Sequence, residues 1–588
     1  RELTMTEPLT YQIQCDPQQH YFDVKITLPS LPQPTQFRLP AWLPGSYMIR
    51  DFAKHIVGFS VVGTTGALDY IRPDKSTWEI PAHDGQVVIE YRVYAFDLSV
   101  RTAWVNHEFG FFNPSAVCLQ CLSHQGPLSI DIALPHSSQW QVATGLPQQT
   151  GASGRFQATD YDTLIDHPFL LGELTVIPFT AAGIQHELVL AGKHYADQSR
   201  LATDLAAICE QQIKFFNDEA PFQNYTFLTM VVGEGFGGLE HRNSTALLCA
   251  RHTLEPGANA QDNSDYLTFL SLCSHEYFHS WNVKQLRPKL FHPYDLQREQ
   301  YTEQLWFYEG ITSYLDDYFV QQAGAMSATT YLQRLSETLT RALRGKGPQR
   351  QSVLESSRMA WTTFYQQNEN SQNAISSYYS KGSVIALLAD LAIRKISNGA
   401  HSLQDVMNDV YARHAAVGTT QADLIASFAR FGGEELSASL EQWLSSTQTP
   451  ALEELLQTVG IGITPAVSDP LTMQPSSKTE TNLPVSFGAV LTDKQSYVEV
   501  TRVFEDSAAA AAGLSSKDRI IAIDGIEATR TNLTRAMQRS QPGQVITLHV
   551  FSSDQLRAVE LTWQAPVVDG FSLNIDEQAL AATWLRLG

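Results

Sequence analysis

In the stretch SLCSHEYFHSWN (Ser271–Asn282), His275 and His279 stand four residues apart and Glu276 follows the first histidine. On a helix, positions i and i+4 share one face, so both imidazoles would point the same way. Zinc binds neutral imidazoles held in this manner. Glu276 would lie beside the metal without being forced to ligate it, where it can take a proton from a water that zinc makes acidic. HExxH in apolar surroundings is a metallopeptidase signal. The competing reading is a core helix with incidental histidines. A catalytic zinc needs a third protein ligand and one open position. Glu309 lies in EQLWFYEGITSYLDDYFV (Glu303–Val320), an aromatic and mostly apolar helical stretch. A carboxylate there is costly unless paired or ligating, so Glu309 is read as the third ligand. Glu303, Asp316 and Asp317 are read as solvated helix faces.

Two further stretches could serve the same chemistry. In GEGFGGLEHRNSTALL (Gly233–Leu248) a glycine-rich turn with Gly237 and Gly238 runs into a strand carrying Glu240. An edge strand of this kind can pair with a substrate backbone, and Glu240 could hold a substrate cation. A nucleotide loop is disfavoured because a strand, not a helix, follows the glycines. In SSYYSKGSVIALLADLAIR (Ser376–Arg394), Tyr379 opens a helix, and its phenol could donate to an oxyanion.

The elements that must position these residues form a two-part pattern. From Leu9 to about Leu174 the chain alternates in the β manner (YFDVKITL, GQVVIEYRVYAF, LSIDIAL), punctuated by turns. Beyond about Val176, helical spacing dominates, as in Tyr195–Asp218, Tyr266–Val283, Ala328–Leu343 and Tyr378–Ile396. The stretch Thr464–Pro484 is rich in Pro, Ser and Thr and reads as a linker. A compact unit with short strands and one helix follows. The expected organisation is a β-rich N-terminal domain (1–174), a catalytic domain (175–463), a linker (464–484), a small domain (485–566) and a C-terminal tail (567–588).

The order GGLEH, HEYFH, LWFYEG, YSKG resembles the gluzincin metallopeptidases related to aminopeptidase N. The match is closer to the glycyl aminopeptidase family, which joins such a catalytic domain to a C-terminal PDZ domain; WLPGSYMIRDFAKHI, GGLEHRNS and HSWNVKQLRP carry that resemblance. It spans about residues 9 to 565. It implies one zinc per chain on His275, His279 and Glu309, Glu276 as general base, and Tyr379 stabilising the tetrahedral intermediate. It also implies that Glu240 takes the substrate α-amino group, with Gly237 and Gly238 as further substrate-binding residues. His241 stands where aminopeptidase N has asparagine, and twenty-nine residues lie between His279 and Glu309, a longer gap than in aminopeptidase N. The implied fold is multidomain α+β, with a thermolysin-like, mainly helical catalytic domain behind the β-rich one. SFGAV (Ser486–Val490) resembles the carboxylate-binding loop and first groove strand of a PDZ domain, which puts Phe487, Gly488 and Ala489 at the groove and polypeptide C-termini among its expected ligands. The alternative for that unit is a domain that only packs on the catalytic part.

Composition limits the partners. Asp+Glu of 61 against Lys+Arg of 40 gives a net charge of −21, which argues against nucleic acid and anionic membrane surfaces. No apolar run has the length of a membrane helix. The N-terminal residues show no apolar signal core, so a cytoplasmic location is expected, or a periplasmic one if a leader has been removed. Six cysteines do not make a disulfide scaffold, and Cys118–Cys121 (CLQC) reads as structural. The expected function is a zinc aminopeptidase acting on peptides with a small N-terminal residue such as Gly or Ala. The alternative is a zinc endopeptidase directed by PDZ to polypeptide tails.

Overall fold

The computed structural model describes residues 8–136, 138–151, 154–257, 263–467 and 483–587. Most of the stretch read as a linker therefore lies outside the described residues. Contacts divide the chain into two compact units: residues 1–300 with 322–325 and 413–418, and residues 301–321, 326–412 and 419–588. The division runs through the segment 175–463.

The first unit begins with the β-rich domain. Strand Leu9–Asp16 alternates strictly, with Leu9, Tyr11, Ile13 and Cys15 turned inward. It pairs antiparallel with Tyr21–Leu28 and parallel with Leu128–Ala133. Seven strands form this sheet; three- and four-stranded sheets complete the domain. Cys118 and Cys121 are buried thiols here, and burial raises the pKa of both. They pack as small hydrophobes.

A five-stranded mixed sheet follows in the spatial order Leu174–Ala181, Ile184–Ala191, Asn224–Val232, Ser244–Ala250, Phe236–Glu240. Its first two strands fall where the sequence pattern turns towards helix. Pro178 masks the first of them, and a proline is tolerated there because that strand is at the sheet edge. Among the described residues, the two long helices of the same unit are Gln198–Phe215 and Ser264–Phe278. Gln198–Phe215 starts at Asp197, whose carboxylate accepts from Arg200 N–H. Ser264–Phe278 starts at Asn263, whose side chain accepts from the N–H groups of Asp265 and Tyr266. Each cap satisfies helix donors that otherwise lack partners. The helices are joined by Gln212 Nε2, which donates to the Ser274 carbonyl and hydroxyl, both at 2.9 Å.

The second unit is helical, with a small β domain. A π-helical turn, Trp306–Ile311, runs into helix Thr312–Gln322. Helices Ala328–Leu343, Ser380–Ile396, Leu403–His414 and Gln421–Ser445 follow, although the division assigns 413–414 to the first unit. Residues 489–562 form strands around the short helix Ala508–Ala511 and the helix Arg530–Arg539, over a core of their own that includes Phe487, Val500, Leu533 and Trp563. Two observations refine the sequence reading of this end. Residues 464–466, at the start of the stretch read as linker, belong to strand Ile461–Ala466. Within the C-terminal tail, Gly570–Ile575 is a strand pairing antiparallel with it. Among the described residues no helix is long and apolar enough to cross a membrane.

Candidate active site

In the first unit the HExxH helix ends at Phe278, and His279 is its C-terminal cap in right-handed helical geometry. The two imidazoles remain one turn apart, with ring centroids at 4.7 Å and planes at 84°. His279 Nδ1 lies 2.8 Å from the carbonyl oxygen of Asn282. A carbonyl only accepts, so Nδ1 carries the proton and Nε2 keeps its lone pair, the state in which imidazole ligates a metal. The chain then turns through Val283, whose φ of 143° is rare for a β-branched residue. Lys284 N–H closes the turn on the His279 carbonyl at 3.0 Å.

Glu240 ends the edge strand of the five-stranded sheet and is 4% exposed. Side-chain ligand atoms of Glu240, Glu276 and His279 all lie within 4.8 Å of one another. Glu240 Oε1 is buried and has no hydrogen bond among the described residues. A buried carboxylate oxygen in that state is a site for a cation or a donor. Gly238, on the same face of the strand, lies so close to the helix that a Cβ there would overlap the Glu276 carboxylate. Gly237 faces the other way; a Cβ on it would stand 3.7 Å from Val100. Both glycines lie inside the strand Phe236–Glu240 and not in a turn before it.

Gly45 and Asp166 were given no role by the sequence, and His241 entered it only as a departure from the aminopeptidase N pattern. Gly45, at φ +88°, brings the backbone of the N-terminal domain against the Glu240 carboxylate, where a Cβ would overlap it. His241 is buried, and its Nδ1 lies 3.2 Å from Asp166 Oδ1. Asp166 also meets Lys284 at 2.7 Å and Arg242 at 2.9 Å. Burial by itself would raise the Asp166 pKa, but Lys284, His241 and Arg242 hold the carboxyl well below its usual range. This cluster ties the strand end and the turn after the HExxH helix to the N-terminal domain. Beside it lies a cavity of about 270 Å³ lined in part by His241, Lys284 and Tyr294.

In the second unit Glu309 is 2% exposed within the π-helical turn. A Cβ on Gly310 would come within 2.7 Å of the Gly382 carbonyl carbon, so glycines at 310 and 382 let two backbones touch. That contact sets Glu309 near Tyr379, the N-cap of helix Ser380–Ile396. Burial and then the Glu309 charge raise the Tyr379 hydroxyl well above its ordinary pKa. The phenol therefore stays protonated and can donate. Asp317 is ion-paired with Arg334 at 2.9 Å and so is more than a solvated face. In the small β domain, Phe487 is buried against Trp563. Gly488 adopts φ +78° and Ala489 opens strand Ala489–Asp493. These three residues line a cavity of about 300 Å³ together with Met537, Arg344 and Lys346.

Comparison with known proteins bears on this arrangement. Residues 10–173 match the Peptidase M61 N-terminal domain, 268–385 match M61 glycyl aminopeptidase, and 476–551 match the PDZ domain. The crystal structure of an aminopeptidase N family protein from Idiomarina loihiensis is 44% identical, with a TM-score of 0.95, over 98% of this chain and 100% of that one. The chain belongs to the M61 glycyl aminopeptidase family. As an M61 chain it is a peptidase with a β-rich N-terminal domain, a helical middle domain and a C-terminal PDZ domain. An M1 zinc metallopeptidase from Deinococcus radiodurans is 12% identical, with a TM-score of 0.47, over 76% of this chain and 95% of that one. No curated protein sequence matched. The residue chemistry suits a zinc ion: His279 presents Nε2, and His275 stands one turn before it on the same helix.

Proposed function

We infer that this M61 enzyme is an aminopeptidase that removes a small N-terminal residue, Gly or Ala, from peptides. The observation that carries the reading is Glu240, a buried carboxylate with an oxygen lacking a hydrogen bond, within 4.8 Å of Glu276 and His279 ligand atoms. A free α-ammonium would satisfy that oxygen by a charge-assisted bond. The Gly45 backbone against the same carboxylate leaves little room around the amine, which supports a small first residue.

His275, His279 and Glu309 would hold one zinc ion per chain. Zinc, when bound, supplies a Lewis acid that acidifies water and polarises a carbonyl. Glu276 takes the proton of the attacking water and delivers it to the departing amine. The Tyr379 hydroxyl donates to the substrate oxygen as that atom gains charge. The strand edge at Gly237 and Gly238 pairs with the substrate backbone. The PDZ groove at Phe487, Gly488 and Ala489 receives polypeptide C-termini.

The test compares free and N-acetylated versions of one peptide. Removing a hydrogen bond to a charged group costs about 1.5–3 kcal/mol, so Glu240→Ala should lower kcat/KM on the free peptide roughly ten- to hundredfold. The wild type should cleave the acetylated peptide poorly, and Glu240→Ala should add no such penalty on it. Equal cleavage of both peptides by the wild type would overturn the aminopeptidase reading in favour of an endopeptidase.

A further inference from the structure

The edge strand Phe236–Glu240 holds a residue that the chemistry above does not use. Side chains alternate along a strand, so Phe236, Gly238 and Glu240 share one face. That face is fixed by two contacts already described: Gly238 against Glu276, and Glu240 beside Glu276 and His279. The opposite face, with Gly237 and Leu239, packs towards Val100 and the core it shares with the N-terminal domain. Phe236 is thus on the catalytic side, yet it is 63% exposed. A single exposed aromatic is ordinary on a protein surface. This one differs because it stands at the free end of the strand that carries Glu240. The strand terminates the sheet, and among the described residues nothing pairs with its outer edge.

The order of groups along the strand sets the direction of a bound peptide. Glu240 takes the amine, Glu276 acts opposite Gly238, and the rest of the substrate can only continue towards Phe236. The peptide therefore runs antiparallel to the strand. Successive same-face positions are about 7 Å apart. With the first residue opposite Gly238, the residue opposite Phe236 is the second one after the cleaved bond. We propose that Phe236 is a specificity-determining residue that selects a bulky apolar side chain at the third position of the substrate. The enzyme would then favour peptides of three or more residues with a small first and an apolar third residue. This rests on the aminopeptidase reading, because Glu240 as amine anchor gives the direction.

The experiment uses the full chain loaded with zinc and four tetrapeptides: Ala-Gly-Gly-Gly, Ala-Leu-Gly-Gly, Ala-Gly-Leu-Gly and Ala-Gly-Gly-Leu. In the wild type, leucine at the third position should raise kcat/KM over the all-glycine tail about tenfold, the scale of one apolar contact. Phe236→Ala should abolish that ratio, and Phe236→Leu should keep most of it. A ratio that survives Phe236→Ala, or that peaks with leucine at the second or fourth position, would overturn the proposal while leaving the aminopeptidase reading intact. Acetylated Ala-Gly-Leu-Gly separates the two failures. If the wild type cleaves it as well as the free peptide, the amine anchor fails and the direction along the strand fails with it.

Discussion

Gly238 and Glu276 approach so closely that the strand position has no room for any side-chain carbon. The atom that a Cβ would meet is the carboxylate end of a flexible glutamate, so Gly238→Ala should move the carboxylate and leave the backbone in place. A displacement of about 1 Å at a reacting group costs on the order of hundredfold in rate. Gly238→Ala should therefore lose about that much kcat while keeping its zinc and a melting temperature close to wild type. A large fall in melting temperature would show that the strand has moved instead.

Metal retention and proton transfer can be separated at neighbouring residues. Glu276→Gln keeps the shape but cannot accept a proton, so it should retain one zinc per chain and lose between about 10²- and 10⁴-fold in kcat. His279→Ala should lose the metal itself. Elemental analysis of protein purified without added metal reads both outcomes. Stoichiometric zinc in His279→Ala would remove His279 from the ligand set, and near-normal activity in Glu276→Gln would remove Glu276 from its role.

A pH dependence follows from His186, buried beneath the catalytic helix. Its Nδ1 faces the Ile184 carbonyl at 2.9 Å and its Nε2 accepts from the Tyr277 hydroxyl at 2.8 Å. Burial pulls the imidazole from 6.5 down to about 4, against the opposing effect of the Ile184 carbonyl. Between those values the unfolded chain binds a proton that the folded one refuses. Stability from this group is thus full above about pH 6.5 and lost as pH falls towards 4, by roughly 3 kcal/mol. His186→Gln should be less stable than wild type at pH 7 but should lose less on acidification, as measured by urea unfolding at pH 7, 6, 5 and 4.5. Parallel pH curves for the two proteins would contradict a neutral buried His186.

What the sequence made legible follows from how locally each signal is written. HExxH writes its groups within one helical turn, so the side-by-side placement of His275 and His279 was legible from their spacing alone. The Glu309-Gly310 and Lys381-Gly382 segments also read correctly as helical, but the reason for their glycines is a backbone contact between residues 72 positions apart. No role for Gly45 or Asp166 was legible, although Gly45 lies in a stretch that carries the family resemblance, because their partners, Glu240 and Lys284, lie more than a hundred residues away. Strand Leu174–Ala181 was hidden by Pro178, which only an edge position permits. The tail after residue 567 has a strand partner about a hundred residues earlier, and pairing at that range leaves no periodicity of its own.

That distant pairing changes how the PDZ domain should be removed. Strand Ile461–Ala466 pairs with Gly570–Ile575, and Asp569 N–H donates to the Ala466 carbonyl at 3.2 Å. The intervening domain therefore leaves and returns at one end of a two-stranded ribbon. The returning strand is held by the helix Ala328–Leu343: Phe571 N–H donates to Thr340 Oγ1 at 3.1 Å and Leu573 N–H to Ser336 Oγ at 2.9 Å. Further on, Trp584 is buried and its Nε1 donates to the Tyr314 hydroxyl at 3.2 Å. The buried Arg344 depends on Asp569 at 2.8 Å. Cutting the chain after Ala466 would strip all of these. Loss of a buried tryptophan alone costs about 3–5 kcal/mol, so that truncation should unfold at a markedly lower temperature and lose activity on every substrate. Replacing 467–568 with a four-residue glycine-containing turn keeps the ribbon, the Arg344–Asp569 pair and the Trp584 anchor. It removes the exposed ion pairs Arg350–Glu505 and Lys346–Asp506, which contribute little in solvent, together with the contact of Arg344 with the Phe504 ring and two hydrogen bonds of Asn373, which donates to the Val503 carbonyl at 2.9 Å and accepts from Glu505 N–H at 3.1 Å; water can take the place of these partners at the uncovered surface. The excised enzyme should melt near the wild type and still turn over small aminoacyl substrates, with any change confined to longer peptides. Equal loss of stability in both variants would make the PDZ domain part of the catalytic unit's core.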